Sequence, residues 1–398
     1  MHTVGIVCEY NPFHNGHLYQ LQETRRLLGA DTVTACVMSG DFVQRGEAAV
    51  FDKFARAEAA CRCGADLVLE LPLPWCLSSA EGFAYGAVSL LSAIGCDTLS
   101  FGSESADTAA LCSLAGFLSG EEARARIRAL MDADETLSFA RARQTAAAEE
   151  LGDAAALLAS PNDILAVEYL KALAKTGSRM EPLAIRREGA AHDSKAAGEY
   201  PSAMCLRELL RGGEDISAYI PEPAMAIFSR EMQAGRAPNK RLLEVALLSR
   251  LYRLNPEDFD ALTDAGGGAG RRLYRALWQC GSVDEIIKEA SNKRYTAARM
   301  RRMLYGAALG LCAEDTKTAP PYIRVLASSE RGRAQLAALR GTTSLPVINK
   351  SGEIKRAGLK AQKVFKLGAD AHELYSLVCP AAERGVPGED WRKSTVIV

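Results

Sequence analysis

The feature that most constrains this chain is an apolar segment that runs directly into a His-Asn-Gly-His loop at residues 14–17. The apolar residues 5–8 predict a buried strand, and the amphipathic residues after the loop predict a helix. A helix that starts at such a junction presents unpaired N–H groups and its positive dipole end to an anion. Gly16 has no Cβ to hold a phosphate away from the backbone. The junction therefore predicts a nucleotide phosphate site.

The two histidines of the loop, His14 and His17, are the candidate catalytic residues. Their spacing of three lets both rings project from one face of the helix toward the same phosphate. Imidazoles donate hydrogen bonds to the charge that develops on an α-phosphate under attack. A zinc site is the competing interpretation. Zinc takes about three or four ligands, and no third ligand is obvious nearby.

Alternating apolar and amphipathic segments in the first part of the chain predict a parallel sheet covered by helices. We expect strands near residues 3–8, 32–38, 66–71 and 98–102, and helices near 17–28, 53–63, 80–94 and 108–117. Right-handed crossovers then give a Rossmann-like, doubly wound α/β fold with ligands at the carboxyl ends of the strands. The histidine loop lies at that edge.

The length of 398 residues exceeds one ordinary core, so we expect more than one domain. Residues 1–212 are predicted to form a nucleotide-binding catalytic domain with a helical excursion near 120–158. The chain is expected to return through helices at 161–174 and 202–211 and a strand at 182–186. Residues 213–398 are predicted to be mainly helical, with a possible small α/β piece at 320–350.

Composition excludes several classes of protein. Hydrophobic residues at 48% and charged residues at 24% describe an ordinary globular chain, and a net charge of −1 argues against indiscriminate nucleic-acid binding. The eleven cysteines follow no paired pattern and are expected to be reduced. No apolar run is long enough to cross a membrane. We expect a cytoplasmic protein with no membrane association.

A polar loop follows the second predicted strand, at the same edge as the histidines. It contains Asp41, Gln44 and Arg45, and Lys53 and Arg56 follow it. Such a loop can select a second substrate, and its cations can contact a carboxylate or a triphosphate. A solvated turn is the ordinary alternative.

Other single residues fall at the same edge. Gly102 lets an adenine or ribose lie against the backbone. Asn162 and Ser202 begin helices and are candidate caps as well as nucleotide contacts. Arg187 ends a strand, and Arg207 follows Ser202 by about one turn, which suits a grip on the β and γ phosphates.

Basic residues cluster in the C-terminal part. One cluster, with Lys288 before it, contains Lys293, Arg294, Tyr295, Arg299, Arg301 and Arg302; a second contains Lys350, Lys355, Arg356, Lys360, Lys363 and Lys366. Such clusters are ordinarily solvated faces. Two such clusters, with Tyr295 available for base stacking, predict an RNA-binding surface.

The histidine loop and the segment from Ser202 to Arg207 resemble the HxGH nucleotidyltransferase superfamily, whose second motif is typically Ile-Ser-Ser-Thr-x-Ile/Leu-Arg. This chain departs from that motif at Ala203 and Met204. More narrowly, residues 5–17, 39–47, 101–104 and 160–165 resemble the bacterial tRNA(Met) cytidine acetate ligase family. The similarity covers nearly the whole chain.

That resemblance implies an enzyme that activates acetate with ATP as acetyl-adenylate and transfers the acetyl group to N4 of the wobble cytidine of elongator tRNA(Met). For the activation step we expect Mg²⁺ held mainly by phosphates, with no metal site of the protein's own. The ATP site that the resemblance implies, with the second motif added, contains Val7, Cys8, Glu9, Tyr10, Asn11, Pro12, Phe13, His14, Asn15, Gly16, His17, Leu18, Tyr19, Gln20, Gly102, Asn162, Arg187, Ser202 and Arg207.

Two other functions remain open from the residues. A coenzyme adenylyltransferase would use the same histidines but has no need of a long basic appendage. A non-catalytic, nucleotide-dependent RNA-binding factor would not need both histidines. The sequence also leaves open the acyl-chain preference and the oligomeric state.

Overall fold

The computed structural model describes residues 2–134, 136–187, 201–339, 341, 343–381 and 387–398. Within these residues the strands, numbered along the chain, are β1 (Thr3–Cys8), β2 (Val33–Ser39), β3 (Phe42–Val43), β4 (Glu47–Ala48), β5 (Leu67–Leu71), β6 (Thr98–Ser103), β7 (Glu181–Arg186), β8 (Ile323–Ser328), β9 (Val347–Ile348) and β10 (Val396–Ile397).

The helices of the same residues are α1 (Asn15–Leu28), α2 (Lys53–Arg62), α3 (Leu73–Cys76), α4 (Ala80–Ala93), α5 (Thr108–Ser119), α6 (Glu121–Ala133), α7 (Phe139–Leu151), α8 (Pro161–Thr176), α9 (Ala203–Gly212), α10 (Glu222–Gln233), α11 (Lys240–Leu251), α12 (Pro256–Asp260), α13 (Ala269–Leu277), α14 (Val283–Ala290), α15 (Ala297–Ala308), α16 (Glu330–Ala338), α17 (Leu359–Leu377) and α18 (Glu389–Arg392). Short 3-10 segments cover Gly152–Ala159, Ser217–Tyr219, Gly266–Gly268, Ala313–Thr316 and Ser351–Arg356.

The main sheet has the order β10-β8-β5-β2-β1-β6-β7, with β9 beside β8. Strands β5, β2, β1, β6 and β7 are parallel, as a doubly wound fold requires. Strand β2 is buried along its whole length, because helices cover both faces of the sheet. The predicted α/β fold is confirmed.

The order of the strands also locates the ligand crevice. The chain moves from β1 to β2 and β5 on one side, then returns to place β6 and β7 on the other side of β1. In open α/β sheets, ligands bind at this reversal, outside the carboxyl ends of the strands. The loops after β1 and β6 therefore face the crevice.

The region of the possible small α/β piece predicted at 320–350 contains β8, α16 and β9, and its strands belong to the main sheet. Strand β8 pairs antiparallel with β5 and extends the main sheet, and β10 adds a further strand beside it. The local pattern cannot reveal this pairing, because the two strands lie more than 250 residues apart in the sequence. The predicted boundary between residues 212 and 213 stays a prediction.

The helical C-terminal region has a core of its own. Leu247, Leu273, Ile286 and Met300, from four different helices, are buried in it. Phe42 of β3 belongs to the same core, where its ring centroid lies 6.0 Å from that of Tyr305 on α15. The antiparallel pair β3 and β4 is therefore seated on the helical region as well as on the sheet.

A buried cluster of charges joins the main sheet to the end of the chain. Lys53 Nζ lies 2.8 Å from Glu70 Oε1 and 2.9 Å from Asp390 Oδ2. Arg324 of β8 pairs with the same two carboxylates, at 2.9 and 2.7 Å. Because each buried charge has opposite partners, the cluster avoids the desolvation cost of a lone buried ion.

The cluster continues through Asp41 to α17. Asp41 Oδ1 accepts a hydrogen bond from the backbone N–H of Lys53 at 2.8 Å, and Asp41 Oδ2 lies 2.8 Å from His372 Nδ1. Burial alone would lower the pKa of His372, but the Asp41 carboxylate opposes it and raises that pKa to about 10. His372 is therefore a buried cation at neutral pH.

The raised pKa of His372 predicts a pH-dependent stability. Below an unfolded-state pKa of about 6.5 both states hold the proton and the stabilisation is complete. As the pH rises toward 10, the unfolded state alone loses that proton, and this contribution falls by about 1.4 kcal/mol per pH unit. We expect the urea unfolding free energy of His372→Asn to decline less steeply between pH 7 and 9.5 than that of the wild type.

The control is His2→Asn, at a partly exposed histidine outside the cluster, which should keep the wild-type slope. Equal slopes for the wild type and His372→Asn would show that His372 is not a buried cation.

Candidate active site

The loop after β1 positions the two histidines through the backbone of α1. His14 is the N-cap of this helix, and its Nδ1 accepts a hydrogen bond from the N–H of Gly16 at 3.1 Å. His17 Nδ1 accepts from the N–H of His14 at 3.2 Å, so the histidines form a reciprocal capping box. The first turn carries no acidic residue, so no carboxylate of α1 itself offsets the positive end of the helix.

This capping sets the tautomer of both rings. Because each Nδ1 accepts a hydrogen bond, each neutral imidazole carries its proton on Nε2. The ring centroids lie 3.7 Å apart, and the His17 ring also packs edge-on against Tyr10 at 4.9 Å. The two rings therefore form one rigid pair at the positive end of α1.

Gly16 has a structural role that sequence reasoning did not identify. A Cβ at this position would lie 3.0 Å from His14 Cε1 and 3.1 Å from His14 Nδ1. The glycine thus makes room for the folded-back His14 ring. Any larger residue would push that ring away from its capping position.

A cavity of about 260 Å³ opens beside the histidines at the predicted edge of the sheet. A larger concavity, of about 900 Å³, lies between α2, α10 and α17 and contains neither histidine. The smaller cavity is lined by fifteen predicted residues, namely Val7, Cys8, Glu9, Tyr10, Asn11, His14, His17, Gln20, Gln44, Arg45, Gly102, Asn162, Arg187, Ser202 and Arg207. Sequence reasoning missed the walls formed by Ala80, Phe83, Phe101, Pro161, Ile164, Leu165, Tyr169 and Ala203.

The other predicted nucleotide residues lie outside this lining. They are Pro12, Phe13, Asn15, Gly16, Leu18 and Tyr19. Phe13 is fully buried in the core beside α1, and Asn15 Nδ2 donates to the carbonyl of Ala218 at 3.2 Å. Phe13 and Asn15 therefore support the histidine loop from the protein side and do not line the cavity.

Asn11 is the clearest candidate ligand donor of the loop. Its Oδ1 accepts a hydrogen bond from the N–H of Val50 at 2.8 Å, which holds the amide in place. Its Nδ2 is buried and has no hydrogen-bond partner among the described residues. A buried donor without a partner costs free energy. A hydrogen-bond acceptor on a bound ligand would satisfy this donor.

Glu9 and the turn between β3 and β4 form another part of the cavity wall. Glu9 Oε1 accepts from the backbone N–H of Gln44 at 2.8 Å, and Gln44 Nε2 donates to the carbonyl of Ser78 at 3.2 Å. Burial raises the pKa of Glu9, against the opposing effects of the Gln44 hydrogen bond and the charge of Arg207. Gln44 is thus held at the cavity by both its backbone N–H and its side-chain amide.

The second motif anchors α9 to the histidine loop. Ser202 caps this helix by accepting a hydrogen bond from the N–H of Cys205 at 3.2 Å. Arg207 Nη1 donates to the carbonyl of Asn11 at 3.0 Å, and its Nη2 lies 3.0 Å from Glu47 Oε1. The guanidinium is therefore fixed in the cavity wall by two elements.

A carboxylate that the sequence reasoning did not single out holds the far wall together. Glu104 follows β6 and accepts from Asn162 Nδ2 at 2.6 Å and from the N–H of Asp163 at 3.1 Å. The Asp163 carboxylate accepts in return from the hydroxyl of Ser103 and from the N–H of Glu104. This reciprocal clamp caps α8 in place of Ser160, which makes no side-chain cap.

Known proteins resemble this chain over most of its length. A family model described as HIGH Nucleotidyl Transferase matches residues 1–387. A tRNA(Met) cytidine acetate ligase of Caldanaerobacter subterraneus subsp. tengcongensis is 36% identical over 95% of this chain and 95% of its own. One from Syntrophotalea carbinolica is 39% identical over 89% of this chain and 86% of its own.

Solved structures extend the similarity to the whole fold. The crystal structure of apo Thermotoga maritima TmcAL (form I) matches with a TM-score of 0.93 and 32% identity over 100% of both chains. A second form of that protein, bound with alpha-thio ATP, matches with a TM-score of 0.91. The chain belongs to the tRNA(Met) cytidine acetate ligase family.

Within this ligase family's fold, Asp41 and Lys53 do not reach the cavity, which corrects their prediction as substrate contacts. Both side chains are buried in the charge cluster, where Lys53 pairs with Glu70 and Asp390 and Asp41 pairs with His372. Arg56 is likewise buried and donates to the backbone carbonyls of Glu9, Ser39, Gly40 and Phe51. Lys53 and Arg56 therefore stabilise the fold of the ligase, because their hydrogen-bond partners are buried groups of the protein itself.

The first basic cluster of this ligase is only partly on the surface. Tyr295 is buried, and its hydroxyl donates to the carbonyl of Gly267, so it is not placed for base stacking. Arg299 donates to the carbonyls of Asp264 and Gly266, and Arg302 lies 3.4 Å from Asp264 Oδ2. These three predicted RNA contacts instead hold the turn before α13. Lys293, Arg294 and Arg301 stay predictions.

Two further findings bear on cofactors and location. Among the described residues, no group of three or more His, Cys, Asp or Glu side chains is arranged to hold a metal ion. No described helix combines the length and apolarity that crossing a membrane requires.

The Glu104 clamp predicts a stability cost for a minimal change in this ligase. Glu104→Gln keeps the size of the side chain but removes the charge that accepts from the start of α8. We expect the unfolding free energy to fall by about 1.5–3 kcal/mol, as for hydrogen bonds to a charged group. Urea unfolding at pH 7 measures this difference.

The matched control is Glu150→Gln at the exposed end of α7, which should stay within about 0.5 kcal/mol of the wild type. A Glu104→Gln protein as stable as that control would show that the clamp adds nothing to the fold.

Proposed function

We propose that this protein activates acetate with ATP and transfers the acetyl group to N4 of the wobble cytidine of elongator tRNA(Met). The observation that carries the proposal is the rigid pair of histidines at the positive end of α1, beside the crevice of the sheet. The names of the relatives and the alpha-thio ATP bound to the Thermotoga maritima protein support the same reaction.

In the proposed complex, the ATP phosphates lie against the histidine loop. Asn11 Nδ2 supplies a buried donor, and Ser202 and Arg207 face the β and γ phosphates from the start of α9. The adenosine lies against Gly102, where a Cβ would contact Arg187 Cγ at 3.4 Å. Asn162, held by Glu104, borders the same part of the cavity.

In the first step, an acetate oxygen attacks the α-phosphorus while the bond to the bridging oxygen of the β-phosphate breaks. Pyrophosphate leaves with the electrons of that bond, and acetyl-adenylate remains. The carboxylate needs no general base, because it is already ionised at neutral pH. His14 and His17 stabilise the charge on the α-phosphate by donating from Nε2.

Mg²⁺ is proposed to be bound mainly by phosphate oxygens. Asn11, Ser202 and Arg207 line the cavity beside the histidines, and phosphates bound there would supply the oxygen ligands that the ion prefers. An ion held in this way would supply charge neutralisation for the leaving pyrophosphate.

In the second step, N4 of the cytosine attacks the acetyl carbonyl carbon. The new C–N bond forms, the C–O bond to AMP breaks, and N4 loses one proton. The base must leave its stack to reach a cavity at the edge of the sheet, as in other enzymes that act on a single base. The cytoplasm stays the proposed location of this reaction.

The test of this function separates the Nε2 donor of His14 from its capping role. In His14→Asn the amide oxygen can still cap α1, since asparagine is a favourable N-cap, but the imidazole donor is lost. We expect acetate-dependent pyrophosphate release to fall by about 10²–10³-fold in His14→Asn and in His17→Ala. Pyrophosphate release and nucleoside analysis of the tRNA are measured together.

His2→Asn, at the partly exposed N-terminal histidine, is the control and should keep wild-type rates. Pyrophosphate release with a phosphorylated coenzyme precursor, and no N4-acetylcytidine, would instead assign the protein to the small-molecule adenylyltransferases. Absence of turnover with any acceptor would favour the non-catalytic RNA-binding factor.

A further inference from the structure

The strands β3 and β4 and the turn between them form one short element, residues 42–48, which we call the pocket hairpin. Gln44 and Arg45 in its turn line the cavity. Gly46, the next residue, contacts the helical region: a Cβ there would lie 2.8 Å from the backbone N of Arg302 and 2.9 Å from the backbone C of Arg301. The pocket hairpin therefore touches the cavity and α15 at successive residues.

This close contact requires a glycine for two reasons. Gly46 has a φ of +75°, which L side chains rarely adopt, and the space for a side chain is taken by the backbone of α15. Phe42 adds a second attachment through its packing against Tyr305. The turn is thus held at a fixed distance from α15.

Arginines surround the pocket hairpin. Glu47 Oε1 lies 3.0 Å from Arg207 Nη2, and Glu47 Oε2 lies 3.5 Å from Arg211 Nη2. The two arginines differ in exposure: the Arg207 side chain is 8% exposed and that of Arg211 is 55% exposed. On the other side, Arg301 Cγ is 3.0 Å from the Cβ position of Gly46.

Tyr305 on α15 lies close to charged residues of both the hairpin and α9. Burial raises the pKa of its phenol, and the charges of Glu47, Arg301 and Arg211 all act on it as well. Arg211 from α9 and Arg301 from α15 therefore lie around one phenol on α15. With Arg45 and Arg207, the surroundings of the hairpin hold four guanidinium groups against the three carboxylates of Glu9, Glu47 and Asp284 among the described residues.

We propose that the RNA strand carrying the acceptor base crosses the pocket hairpin as it enters the cavity, with Arg211 and Arg301 contacting its phosphates. This inference rests on the proposed function and adds the path of the RNA. An excess of positive charge attracts a polyanion, and the planar guanidinium fork matches phosphate oxygens. The surface is also continuous with the cavity that the unstacked base must enter.

The test measures tRNA affinity directly, by filter binding over a series of salt concentrations without ATP. We expect Arg211→Gln and Arg301→Gln each to weaken tRNA binding by about fivefold and to reduce the slope of log K against log salt by about one. Acetate-dependent pyrophosphate release without tRNA should stay at the wild-type rate. The same loss should appear with an anticodon stem-loop, since the contacts flank the acceptor base.

Arg128→Gln is the matched control, because Arg128 is an exposed arginine on α6. It should change neither tRNA affinity nor the salt slope. Gly46→Ala is a second variant that keeps every charge but forces the turn away from α15. It should weaken tRNA binding without reducing the salt slope, provided that circular dichroism and thermal unfolding show a folded protein.

The outcomes separate this inference from the proposed function. A wild-type slope and affinity in both arginine variants would show that the RNA enters elsewhere, while acetylation could proceed as proposed. A raised KM for ATP with unchanged tRNA binding would assign the arginines to the triphosphate and overturn the inference. The wild-type protein could also form no N4-acetylcytidine while both arginine variants lose tRNA binding. That result would support the proposed RNA path and contradict the proposed function.

Discussion

The buried charge cluster is the interaction on which the rest of the structure depends. Lys53 and Arg324 lie between Glu70 on β5 and Asp390 near the end of the chain, so the C-terminal residues complete the sheet that the first residues begin. Removing one partner would leave an uncompensated charge in the interior, which costs about 3–5 kcal/mol. Asp41 extends the cluster to the start of the pocket hairpin, so the position of that hairpin depends on the same set of charges.

In the histidine loop, the same two side chains cap α1 and form the candidate catalytic pair. The capping hydrogen bonds use Nδ1 of both rings, which directs the Nε2 protons to the other side of each ring. The helix dipole and both donors therefore act at one place, and little reorganisation is needed when charge develops there. An alanine at either position would remove a cap and a donor together, which is why a capping-competent substitution is the more informative variant.

The sequence predicted the parts of this molecule that follow from local pattern. The strand, loop and helix around His14 and His17, the parallel sheet and most of the cavity lining lie where the spacing places them. It could not predict pairings between distant segments. The local sequence predicts ligand-binding cations at Lys53 and Arg299, because nothing near them in the chain shows that Asp390 and the carbonyl of Asp264 accept their hydrogen bonds. Glu104 was overlooked for the same reason, since its partners on α8 lie 58 and 59 residues further along the chain.

The pocket hairpin gives these distant pairings a consequence for the site. Its first strand is anchored in the core of the helical region by Phe42, and its turn is held against α15 at Gly46. The cavity wall formed by Gln44 and Arg45 is therefore positioned by the C-terminal half of the chain, although both residues belong to the first fifty. A displacement of α15 must move the hairpin, because the backbone at Gly46 is in direct contact with the backbone of α15 and no free space separates them. Contact between RNA and α15 would consequently act on the wall of the cavity proposed for acetyl transfer.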